Sequence, residues 1–70
     1  MKLGNLIDAL ESMMNLEADS IISIIDEAGN EIWKGSLGEF DKMFWFSRDI
    51  IMWSYTDALK SVIILVDWRQ

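Results

Sequence analysis

Leu3, Leu6, Ile7, Leu10, Met13 and Met14 recur at alternating three- and four-residue steps. That spacing predicts an amphipathic helix ending near Asn15, since residues three and four apart share one helix face. Asp8 and Glu11 fall off the apolar stripe, and acidic residues early in a helix suit its dipole. Residues 16–19 read as a loop. The pattern then changes to Ser-Ile-Ile-Ser-Ile-Ile over 20–25, a β-branched run that predicts a strand. Ile22 and Ile24 fall on one face and Ile21 and Ile25 on the other, as in a strand covered on both sides. Asp26-Glu27-Ala28-Gly29-Asn30 is turn chemistry, with Gly29 and Asn30 tolerant of positive φ. Residues 31–34 then form the return strand of a hairpin.

Gly35 stops that strand. Ser36 and Glu39 have capping-box spacing, in which each satisfies the other's free backbone donor. Leu37, Phe40, Met43, Phe44 and Ser47 continue at helical spacing, which turns Trp45 and Phe46 towards other faces of a short second helix and marks them as exposed aromatics. Residues 50–56 read as a third strand, with Ile50, Met52 and Ser54 on one side and Ile51, Trp53 and Tyr55 on the other. Residues 56–60 make a turn of hairpin length. A fourth strand over 61–68 puts Val62, Ile64, Val66 and Trp68 on one face, and Arg69 and Gln70 form a polar end.

The order is α-β-β-α-β-β in one domain, residues 1–70. The simplest layered solution is an α+β fold: a four-stranded antiparallel sheet of two hairpins, with two helices packed on it. Strands one, three and four are apolar on both sides. Either the helices cover both sheet faces or a second chain covers the remainder, which would also protect the sheet edges.

Length sharpens this point. A chain of 70 residues buries only about 60% of its unfolded surface and is marginal without disulfides, metal or oligomerisation. There is no Cys and no His, so disulfides and the common zinc and iron–sulfur sites drop out. Twelve acidic residues against six basic ones give a net charge of −6. The six cations are scattered, so direct nucleic-acid binding, which needs a basic patch, is not expected. No apolar run reaches the roughly 18 residues of a membrane span, and the start has no signal-peptide pattern. The expected location is the cytoplasm, without membrane association.

Candidate chemistry is sparse. Asp26, Asn30 and Glu31 are oxygen donors around Gly29, but they lack the twelve-residue spacing of a calcium loop and read as an ordinary turn. Arg48-Asp49 reads either as a clamp for an anion or as the return to solvent between two apolar blocks. Without His or Cys the usual general base and strongest nucleophile are missing, and neither a Gly-x-Ser-x-Gly elbow nor a phosphate loop occurs. The chain is not expected to be an enzyme and calls for no cofactor. Aromatics are the remaining signal. Trp45, Phe46, Trp53 and Trp33 are the candidate interface residues, because Trp is enriched in interface hot spots.

Over Asp26-Glu27-Ala28-Gly29-Asn30-Glu31-Ile32-Trp33-Lys34-Gly35 the chain resembles a loose group of short uncharacterised proteins from phages, prophages and genomes of Gram-positive bacteria. They also open with a leucine-rich helix followed by a strand, an acidic Gly-Asn turn and an Ile-aromatic-x-Gly strand. The resemblance covers the first half of the chain and implies a small accessory protein of unassigned role. Three functions follow as expectations. The first is an acidic protein that binds another protein and itself, as a homodimer. The alternatives are a phage-type inhibitor that mimics nucleic acid and a structural self-assembling unit.

Overall fold

The computed structural model describes residues 1–68; the polar end expected at Arg69 and Gln70 lies outside them. Helix α1 (Leu3–Met13) is followed by strands β1 (Ile21–Ile25) and β2 (Glu31–Ser36). A 3-10 turn (Leu37–Glu39) and a one-turn helix α2 (Lys42–Trp45) lead to β3 (Ile50–Thr56). A second 3-10 turn (Asp57–Leu59) and β4 (Ser61–Val66) complete the order. The α+β class and the two hairpins are as expected.

The sheet itself corrects the expectation of a wholly antiparallel one. Its strand order is β2-β1-β4-β3, and the central pair β1 and β4 is parallel. Burial explains the arrangement. The two strands richest in Ile, Val and Leu take the centre, where both strand edges are paired and one face is fully packed. β2, with Glu31 and Lys34, is left at one edge and β3 at the other. The crossover from β2 to β3 runs through α2, the kind of long connection that parallel geometry requires.

Both helices lie on the same side. Leu3, Leu6, Ile7 and Leu10 from α1 pack with Ile22, Ile24, Val62, Ile64 and Val66 from the sheet, joined by Phe40 and Trp45. The first amide groups of α1, which have no partner inside the helix, are satisfied from the α2–β3 link. Leu3 N donates to Arg48 O at 2.8 Å and Gly4 N to Phe46 O at 3.0 Å. At the other end Asn15 adopts φ 53°, the left-handed stop that Asn tolerates better than most residues.

The second helix is shorter than its spacing predicts. Phe40 is extended (φ −69°, ψ 124°), and Asp41 starts a new turn by accepting from Phe44 N at 3.1 Å. Glu39 does return to Ser36, accepting from its amide at 3.1 Å and its hydroxyl at 3.0 Å. The strand faces on β3 also change. Ile50 pairs with Val66 and Met52 with Leu65, so Ile51 is an extra residue in a bulge. The bulge returns Ile50 to the core side with Trp53 and Tyr55, whereas strict alternation assigns it to the opposite side. A matching irregularity makes Ile32 the extra residue on β2.

Candidate interaction surface

Cross-strand partners share a sheet face, so the registers define the face that no helix covers. Its first row is Ser36, Ile21, Ser61 and Thr56; its second is Lys34, Ser23, Ile63 and Ser54; its third is Glu31, Ile25, Leu65 and Met52. Among the described residues no helix packs over it, and Leu59 of the second 3-10 turn borders it at one end. Ile63 is 46% exposed and Met52 62%. Five apolar side chains alternate with five Ser or Thr, and both charges lie on the outer strand β2.

The alternation gives the face relief. Ser23, only 8% exposed, forms the floor of a hollow of about 590 Å³ walled by Ile21, Ile25, Lys34 and Ile63. A second hollow of about 150 Å³ is lined by Ser54, Met52, Leu65, Ile25, the other flank of Ile63 and, from the β3 edge, Trp53. Ile63 is therefore a ridge between two depressions on its own row.

The four aromatics expected at an interface are not brought together. Trp45 is 4% exposed, which corrects its assignment to the surface. Its ring meets Trp68 at 5.4 Å and Phe44 at 5.0 Å between centroids. The break at Phe40 re-phases α2, and that rotation turns Trp45 inward. Trp33 is half-buried, edge-on to Phe40 at 5.5 Å, with its ring against Gly35. Trp53 is 38% exposed on the β3 edge. Phe46 is 44% exposed and lies on the far side of the molecule, over Gly4. Met43 and Phe44 are also exposed there. Ile63, Met52 and Ser23 are not singled out by the sequence pattern; the available signal was Ser23 between Ile21 and Ile25 on one face of the first strand and Ser61 at the start of the fourth.

The charged groups mostly serve one another. Lys42 reaches Asp8 at 3.0 Å and Glu11 at 2.9 Å, tying α2 to α1. The Glu11 and then the Asp8 carboxylate raise the Lys42 pKa. Arg48 lies 4.3 Å over the Trp68 ring and Asp49 is 2.8 Å from Lys2, so each has a partner within the chain. Asp26 accepts from Ala28 N at 3.0 Å and Asn30 N at 2.8 Å, the bonding of an Asx turn. Among the described residues no three acidic side chains cluster so as to hold a metal ion, and no helix is long and apolar enough to cross a membrane. Comparison of the chain with protein-family models, with curated proteins and with solved structures finds no match in any of the three.

Proposed function

We propose that this protein acts by binding protein surfaces through its uncovered sheet face, as a small acidic accessory protein. The observation that carries this reading is a four-stranded face with five apolar side chains and no helix over it. Three rows and four strands span a footprint on the order of 400 Å² at ordinary strand spacings. Five of its twelve side chains are apolar, so its apolar area is smaller than this and lies within the range of surface patches on monomers that often prove functional. The reading assigns no chemistry to the side chains, and placement in the cytoplasm is part of it.

The test compares two surfaces. Wild-type protein, an Ile63→Lys/Met52→Lys variant and a Phe46→Ala variant are used as immobilised baits for the protein itself and for extract of the source organism. Association lost in the first variant and kept in the second supports the sheet face. Association that follows Phe46 instead, or that is identical for all three baits, overturns it. Circular dichroism confirms that each bait is folded.

A further inference from the structure

We infer that the occupant of the open sheet face is a second copy of this chain, packed face to face about a two-fold axis parallel to the strands. This rests on the reading that the open face is the contact surface. Three observations bear on this choice: the first selects a second copy over a foreign partner, and the other two set the terms on which two copies associate.

The first is shape. The knob Ile63 on β4 and the hollow over Ser23 on β1 are register partners, one strand apart. Take the two-fold midway between β1 and β4. It lays β4 of each copy over β1 of the other and keeps the strand direction. Each Ile63 then enters the Ser23 hollow of the second copy, and the same contact is made twice. Ile25 meets Leu65 of the second copy by the same operation. Such reciprocity is what an isologous interface demands, and the near-parallel strands match the aligned packing of two sheets about 10 Å apart.

The second is charge. Two molecules of net charge −6 repel, and the repulsion is least where they meet on a neutral patch. The open face holds one anion, Glu31, and one cation, Lys34, both on its outer strand. The two-fold puts them over the uncharged β3 of the second copy, at the solvent-exposed rim, and no charge is trapped in the centre.

The third is area. The footprint is below the roughly 800 Å² per partner of a standard interface. The dimer is therefore weak, with a dissociation constant on the order of micromolar or above. Salt screens the mutual repulsion of the two acidic molecules, so association tightens as ionic strength rises.

The test is sedimentation equilibrium of the purified protein from about 1 μM to about 1 mM, a range that brackets such constants. Wild type is expected to move from one chain mass to two. Ser23→Ile sets knob against knob and Ile63→Ser sets hollow against hollow, and each alone weakens the dimer by about tenfold or more. Mixing the two variants pairs a knob with a hollow at both positions, so the mixture is expected to regain the wild-type association. Isotope-filtered NMR on unmodified protein gives a readout that needs no variant: contacts between Ile63 methyls and Ser23 of differently labelled chains. A monomer at every concentration overturns the second copy and leaves the open face to the bait experiment. A dimer indifferent to both substitutions, a mixture of folded variants that stays monomeric, or the absence of the Ile63–Ser23 contact in a dimer also overturns it.

Discussion

Gly4 shows how one side chain's absence positions another. A Cβ there would lie 2.1 Å from Cδ2 and 2.6 Å from Cγ of Phe46, so the whole ring must move, not just its tip. Ala is better than Gly inside a helix by about 1 kcal/mol, but displacing a packed ring costs about 1–3 kcal/mol. Gly4→Ala is expected to destabilise the wild type and to stabilise a Phe46→Ala background, which urea unfolding of the four-member cycle measures. Trp45→Ala is expected to cost about 3–5 kcal/mol. In a domain this small that amounts to unfolding, visible as loss of the cooperative thermal transition. Glu39 supplies the pH dependence. Its bonds to the Ser36 amide and hydroxyl lower its pKa, so its folded value is below its unfolded one. That contribution is complete above the ordinary carboxylate range and is lost as pH falls through the lowered value. The Tm difference between wild type and Glu39→Gln should be largest near neutrality and close towards pH 3.

At the scale of elements, the two edge strands are protected differently. β2 carries Glu31 and Lys34, whereas β3 has no charge along Ile50–Thr56 and relies on its bulge. Bulges bend a strand and spoil the straight template that further pairing needs. Deleting Ile51 keeps both Ile50–Val66 and Met52–Leu65 in alternation. It is expected to preserve the fold while promoting aggregation through the straightened edge, followed by light scattering over time. The Lys42 bridge between α1 and α2 is exposed and contributes less than about 1 kcal/mol. Lys42→Ala should lower the Tm slightly, and less so in high salt. Its raised pKa means that this contribution persists at neutral pH and disappears only as pH rises through the raised value. Most of these elements were legible in the sequence. The α1 stripe, the Asn15 stop, the Gly29 turn and the presence of all four strands follow from spacing and turn chemistry, whereas Gly35 does not stop β2, which pairs on to Ser36, and β4 ends at Val66. Three features were not. The bulge at Ile51 leaves no mark in an unbroken apolar run. The restart at Asp41 is hidden because apolar spacing continues through it. Trp45 was misplaced as a result, since its direction depends on where that last turn begins.

For the whole molecule, the contrast is between its two sheet faces. One is sealed by α1, Phe40 and Trp45; the other is graded, with Ser and Thr between Ile and Leu. The sequence announced strands apolar on both sides and left open whether helices or another chain would cover them. Helices cover one side only, because α1 is the one helix of useful length and α2 is a single turn. Strand order was not legible for a related reason. Hairpins can be read locally, but the choice of which two strands lie at the centre depends on total burial. The dimer's expected tightening with salt belongs to this scale as well, because the charge that opposes it is spread over the entire surface.

The parallel pairing of β1 with β4 has a consequence for how the chain reaches this shape. Ile21 meets Ser61 and Ile25 meets Leu65, so the centre of the sheet is closed by residues distant in sequence. The two hairpins can zip early from their own turns, but neither has a completed hydrophobic layer beneath it until they dock. Topologies with distant contacts fold slowly for their size, so that docking, and not helix or turn formation, is expected to set the folding time. A cut in the 37–49 crossover would leave each hairpin unable to persist alone, yet the two pieces retain every strand partner needed to find each other again.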